Sequence, residues 1–254
     1  MKRGFTLIEL LVVIAIIVLL MSILIPGLGK ARRYAKTVVC RSNLRQWGLI
    51  LESYTNENNG LFFGGPVGSD WDDWIEVLRP FYGNKGKITF CPLADKTAEE
   101  GAQGVYAAWK DKEGSDFGSY GLNGWVCNAA PKEAIFGNEL YWRTPGVKDA
   151  QNVPVFLDCL WMVGWPDYNS MPPAYDGEPL KEWTLSEQMK NFCINRHGKG
   201  ATNCLFMDWS VNSVGLKQLW KLNWHKNFDI NGPWTKNHNP PPNWPEWMRE
   251  FKDY

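Results

Sequence analysis

The sequence predicts an α+β fold: a long N-terminal helix, then an antiparallel sheet with irregular Gly-, Pro- and Trp-rich insertions. Two observations carry that expectation. An apolar run from Phe5 to Gly29 contains a single charge, Glu9, and continues into a stretch of helical period. Beyond Leu61 the period fades, and short β-branched and aromatic segments between turn residues replace it.

The helix comes first. Phe5 to Ile25 supplies the roughly 20 apolar residues that a membrane span needs at about 1.5 Å rise each. Leu10 to Ile25 is long for the apolar part of a secretory signal, about 7–15 residues, and no Ala-x-Ala site follows it. Pro26, Gly27 and Gly29 form a soft point that is expected to kink or locally melt the helix. Cys40, Leu44, Trp47, Leu51 and Tyr54 then recur on one helical stripe, with Arg33, Lys36, Arg41 and Arg45 mostly off it. Asn58, Asn59 and Gly60 make a stop. The pattern is one helix of about fifty residues, apolar all round at first and amphipathic later. Its second half needs a surface to lie against.

The later elements follow in order. Trp71, Trp74, Leu78 and Phe81 suggest a short helix ending near Arg79-Pro80. Val153 to Met162 reads as a buried strand, and Asn191 to His197, Asn203 to Asp208 and Val211 to Val214 as further strands. Gly198-Lys199-Gly200 and Asp208-Trp209-Ser210 are short enough to close hairpins between them. Leu216, Leu219, Trp220 and Trp224 suggest a closing helix. From Asn231 the chain turns Pro- and Trp-rich, with Pro240, Pro241 and Pro242 enforcing an extended run. Trp234, Trp244 and Trp247 either fasten this tail to the domain or ride on a free arm.

Composition narrows the chemistry. Basic and acidic residues balance at 27 each, so no global field points to nucleic acid. No two of the six cysteines form a CxxC pair and no His stands at metal spacing, so a zinc site is not expected. Disulfides Cys40–Cys91 and Cys159–Cys204 are the favoured pairings, with free buried thiols as the plain alternative. His197, Asp208 and Ser210 could suggest acid–base work, but the more ordinary reading has His197 and Asp208 bracketing a hairpin. His225 and His238 are expected to be solvated. No phosphate loop or nucleophile elbow is present, so the chain is not expected to be an enzyme. The 15 tryptophans fit either a packed core and tail or a glycan-binding surface.

The residues Gly4-Phe5-Thr6-Leu7-Ile8-Glu9, behind the basic Lys2 and Arg3, resemble the N-terminus of type IV pilins and type II secretion pseudopilins. The resemblance implies cleavage after Gly4 by a prepilin peptidase, methylation of Phe5, and a filament-assembly role for Glu9. It divides the chain into a leader (1–4), a membrane and filament-core half-helix (5–29), a periplasmic globular domain (30–230) and the tail (231–254). Its partners would be other pilins or pseudopilins, the peptidase and an inner-membrane assembly platform. The chain would cross the inner membrane once. Lys30, Arg32, Arg33 and Lys36 outweigh Lys2 and Arg3, which by charge alone would reverse the orientation. The peptidase site, which must face the cytoplasm, takes precedence.

Other segments resemble the large pilin-like proteins of Planctomycetes, Verrucomicrobia and Lentisphaerae. They are Cys40-x-x-Asn43-Leu44-Arg45-Gln46, Cys91-Pro92, Ser119-Tyr120-Gly121-Leu122-Asn123-Gly124, and Arg196-His197-Gly198 leading to Leu205-Phe206-Met207-Asp208. Where those proteins often carry glycine after the aspartate, this chain has Trp209. Major pseudopilins commonly hold calcium, and Asp70, Asp72 and Asp73 are the candidate ligands here, with Asp167, Asp176 and Glu178 as a looser group; neither has EF-hand spacing, and solvated acidic loops are the plainer reading. An adhesive, glycan-binding head is the alternative to a purely structural subunit.

Overall fold

The computed structural model describes residues 7–64, 73–83, 88–111, 113–129 and 136–254. Helix α1 runs unbroken from Leu7 to Glu57, 51 residues, straight through Pro26 in the secondary-structure sense. The expected soft point therefore does not interrupt it: Pro costs one backbone hydrogen bond, and the turns on either side remain closed. Its two halves live in different surroundings. From Leu7 to Leu28 the large apolar side chains are exposed, from 44% at Ile17 to 79% at Leu7. From Cys40 onward one stripe is buried, made of Cys40, Asn43, Leu44, Trp47, Gly48, Leu51 and Thr55. Tyr54 is half-buried beside them.

Helix α2 (Asp73–Tyr82) packs on α1 and extends past Pro80, two residues beyond the expected stop. Trp74 and Leu78 face inward as their spacing implies. Trp71 lies outside the described residues.

A small sheet of β1 (Lys96–Thr97), β2 (Ala107–Lys110) and β3 (Phe117–Gly118) follows, with β1 parallel to β2 and β3 antiparallel to it. The main sheet contains β4 (Tyr120–Asn123), β5 (Pro154–Asp158), β6 (Val163–Gly164), β7 (Ala201–Phe206) and β8 (Val211–Gly215), in spatial order β6-β4-β5-β7-β8. The fold is α+β, and four of these strands pair antiparallel as expected. The edge strand β6 instead runs parallel to β4, so the sheet is mixed.

Alternation assigns the faces of the sheet. Tyr120 opposes Asp158, Leu122 opposes Phe156, and Leu205 also pairs with Phe156, which places these side chains on the face against α1. There Trp47 meets Trp74, Tyr82 and Phe156 at ring separations of 4.9–5.7 Å, and its indole N–H donates to the Ile88 carbonyl at 2.9 Å. Burial of each such large apolar side chain contributes about 1.5–3 kcal/mol. That packing gives the second half of α1 its surface.

Residues 191–197 are not a strand. A 3₁₀ turn spans Leu185–Asn191, and the N–H groups of Phe192 and Cys193 still bond back to Met189. Asn191 to Ile194 are all buried, with no alternation between faces, so nothing favours an extended ladder. The β7–β8 hairpin does form, closed by Asp208, Trp209 and Ser210. Trp209 adopts φ 63°, the left-handed conformation that favours glycine. Leu216, Leu219, Trp220 and Trp224 are buried as expected, although the closing element is a 3₁₀ turn (Leu216–Lys221).

The tail is packed. Trp244 lies 5.3 Å from Trp220, Trp247 donates to the Pro173 carbonyl, and Lys217 bonds Asp253 at 2.8 Å. Of the described tryptophans only Trp183 is exposed, so most of the tryptophan excess goes into core and tail packing.

Candidate functional site

Four parts of the chain converge where α1 crosses the sheet. Asp158 ends β5 and points toward α1 as the lone carboxylate in an apolar strand. Cys40 comes from the buried stripe of α1, Cys91 from the loop before β1, and Arg196 and His197 from the turn before β7. All except His197 are buried, and His197 is largely so.

Arg196 has no solvent exposure, and four hydrogen bonds meet its guanidinium. It bonds the carbonyls of Val105 (2.6 Å), Ser119 (2.6 Å) and Cys159 (3.0 Å), and Asp158 Oδ1 at 3.0 Å. A buried guanidinium is tolerable only when it is paired and hydrogen-bonded through each of its nitrogens in this way. Asp158 Oδ2 faces His197 Nε2 at 2.9 Å and the Asn203 N–H at 3.3 Å. His197 Nδ1 meets the Thr37 hydroxyl at 3.0 Å, and Nε2 also lies 3.6 Å from Cys91 Sγ and 3.1 Å from Asn203 Nδ2. Asn203 Nδ2 stands 3.2 Å from Cys40 Sγ, which is itself 3.6 Å from Asp158 Oδ2.

The electrostatics follow from this geometry. Burial opposes charge on Asp158, but His197 and Arg196 outweigh it and hold the carboxyl at about 2. Burial likewise disfavours the His197 imidazolium, yet the Asp158 carboxylate raises its pKa to about 9. Burial would raise the Cys91 thiol, whereas its hydrogen bonds with Cys40 and His197 bring it down to about 7. Burial, Cys91 and Asp158 push Cys40 well above the usual thiol range. Cys91 is the acidic thiol of the pair.

The scattered motif residues of the sequence meet here. Lys36 Nζ bonds the Pro92 carbonyl at 2.7 Å, Asn43 Nδ2 the Phe90 carbonyl at 2.9 Å, and the Cys91 N–H the Ser119 hydroxyl at 2.5 Å. The Tyr120 hydroxyl reaches the Cys40 carbonyl at 3.4 Å. Together these tie α1 to the loop carrying Cys91 and to the sheet.

Other site expectations are corrected. His197 does not pair with Asp208, which is exposed and accepts the N–H (3.0 Å) and hydroxyl (2.6 Å) of Ser210 in its own turn. His225 is buried rather than solvated, 3.0 Å from Asp167 and 4.8 Å from the Trp125 ring. Asp167, Asp176 and Glu178 do not converge: Asp176 accepts from the Asn195 N–H and Glu178 pairs with Lys190. Asp70 and Asp72 lie outside the described residues, as does the side chain of Asp73. All six cysteines are buried free thiols, so neither expected disulfide is formed, although Cys40 and Cys91 do stand together in the cluster. Cys204 opposes Leu157 rather than Cys159. Gly4 and Phe5 lie outside the described residues, and Glu9 sits in the first turn of α1 on its exposed surface.

Comparison with known proteins bears on that N-terminal end. Residues 1–25 match the family described as the prokaryotic N-terminal methylation motif. In its N-terminal part the chain is type IV pilin-like. It is 47% identical over 57 residues to the type IV wide pilus major component PilA4 of Thermus thermophilus, a stretch covering 22% of this chain and 44% of that protein. The chain thus spans less than half the length of the curated relative it matches. That relative is named as a major component of a pilus. No solved structure matches the chain. The buried Cys40–Cys91–Asp158–His197 cluster was invisible to local spacing, because whole elements separate its members. The one signal for Asp158 was a single acid inside an otherwise apolar strand.

Proposed function

We propose that the chain is a pilin-like structural subunit, of pseudopilin type, in a type II secretion-like or type IV pilus-like filament. The supporting observation is the methylation motif at residues 1–25 together with a helix, Leu7–Glu57, whose first half is bare and apolar and whose second half is docked on a head. A helix so divided is unsuited to free solution. It has the length and composition to cross a membrane, and the same surface can pack against other copies once withdrawn from the bilayer. The relative's description as a pilus major component agrees with this use.

On this reading a prepilin peptidase cuts after Gly4 and Phe5 is methylated. The anchored form crosses the inner membrane with its head in the periplasm. An assembly platform then moves the helix into a filament of like or related subunits. Glu9 is the assembly contact. An acid inside an apolar helix is costly in a bilayer and tends to mark function. Cleavage would create a cationic amine on Phe5, four residues before Glu9 in sequence, and a neighbouring subunit's amine is the proposed partner in the filament.

The test is mass spectrometry of the mature protein beside a Glu9→Val variant. The reading expects a chain beginning at methylated Phe5 in both, with the variant failing to enter filaments. An intact residue 1–4 leader in the mature protein would overturn it.

A further inference from the structure

We propose that Cys40, Cys91, Asp158 and His197 form a structural binding site for a thiophilic divalent ion, zinc foremost, that clamps α1 to the head. Their donor atoms all lie within 4.8 Å of one another. A tetrahedral zinc with bonds of about 2.0–2.3 Å spaces its donors by about 3.3–3.8 Å. Cys91 Sγ and His197 Nε2 stand 3.6 Å apart, and so do Cys40 Sγ and Asp158 Oδ2. His197 Nε2 and Asp158 Oδ2, at 2.9 Å, need only part slightly as the ion replaces the proton between them.

The outer contacts suit a metal as well as the ligands do. With Nε2 on the ion, His197 keeps its proton on Nδ1, where the Thr37 hydroxyl accepts it at 3.0 Å. That is the usual way a ligating imidazole is oriented and its tautomer set. Arg196 holds Asp158 by Oδ1 and leaves Oδ2 facing the cluster, and Asn203 Nδ2 donates to Cys40 Sγ. Two thiolates, one carboxylate and the Arg196 guanidinium around a dication leave the buried site neutral, removing the penalty that an unbalanced interior charge would carry. Four protein ligands in a closed pocket mark a structural site rather than a catalytic one. The ligands come from α1, the Cys91 loop, β5 and the turn before β7, so the ion would cross-link the filament helix to every layer of the head.

The test uses the full chain purified in mild detergent without chelator. Elemental analysis is expected to find about one zinc per chain. Cys40 and Cys91 are expected to resist alkylation until a chelator is added, and cobalt(II) refilling to give thiolate-to-cobalt charge-transfer absorption. Cys91→Ser should lose that absorption. Thr37→Val, which keeps all four ligands and lies at a half-buried helix position, should weaken cobalt affinity by about 10–100-fold. Should Cys91→Ser fail to fold, the Thr37→Val titration decides. A Cys40–Cys91 disulfide in the chelator-free protein would overturn the proposal. So would reduced protein that gives no charge-transfer absorption with cobalt, or unchanged affinity in Thr37→Val.

Discussion

The Asp158 carboxylate and the Arg196 guanidinium lie 3.0 Å apart, and neither side chain has any exposure to solvent. Arg196 also gathers three backbone carbonyls from separate segments, so its removal strands an anion and three acceptors at once. Arg196→Leu is expected to destabilise the fold by about 3–5 kcal/mol, the usual cost of breaking a buried pair. Arg196→Lys keeps the charge but not the planar fork, and should recover only part of the loss. Urea denaturation of the full chain in detergent measures both. A loss below about 1 kcal/mol for Arg196→Leu would mean the pair is better solvated than its burial implies.

Gly121 and Gly146 offer a contrast between two glycines that sequence alone treats alike. A Cβ on Gly121 would stand 2.4 Å from the Trp161 carbonyl and 2.6 Å from Cys159 Sγ, whereas one on Gly146 would meet nothing within 4 Å. Gly121→Ala is expected to cost about 1–3 kcal/mol through overpacking of β4 against buried neighbours. Gly146→Ala should be near neutral. Equal melting behaviour of the two variants would contradict the tight approach at β4.

What the sequence revealed depended on how local the cause was. The stripe Cys40–Leu44–Trp47–Leu51 was legible because helical period is set within a few residues, and its burial followed. The β7–β8 hairpin was legible for the same reason. Asn191 to His197 was misread, because its apolar content mimics a strand while its backbone bonds run locally to Met189. The cluster around Asp158 was legible only in part: Cys40 and Cys91 were expected together, as a disulfide, but Asp158 and His197 were not joined to them. Cys40, Cys91 and His197 show no metal spacing, and only the crossing of α1 over β5 and β7 brings them together.

The Asp208–Trp209–Ser210 turn carries a conformational cost that can be isolated. Trp209 has φ 63°, while its ring is half-buried 6.4 Å from Phe62 and its carbonyl accepts from Arg45. Trp209→Ala and Trp209→Gly both remove the ring, but only glycine relieves the left-handed backbone. The glycine variant is expected to be the more stable of the two by about 1 kcal/mol. Thermal or chemical melts of this pair read the difference directly, and a more stable alanine variant would show that the turn relaxes once the ring is gone.

Glu187 governs an acid-sensitive contact away from the cluster. Burial would raise its pKa, but the Lys190 ammonium at 2.7 Å and the N–H groups of Lys181 and Glu182 hold it at about 2, against an ordinary value of 4.5. Lys190 is shared with Glu178, whose pKa is also lowered, against the effect of burial, by the Ala174 N–H and Lys190. A carboxylate depressed in the folded state stabilises the fold above its unfolded pKa. That contribution is lost as pH falls from about 4.5 toward about 2. The wild-type chain should therefore lose about 1–3 kcal/mol more than Glu187→Gln across that interval, with the two curves parallel above pH ~5. Urea midpoints collected at descending pH test this. If both proteins lose stability equally, Glu187 is not the titrating group and the lysine bridge contributes little in acid.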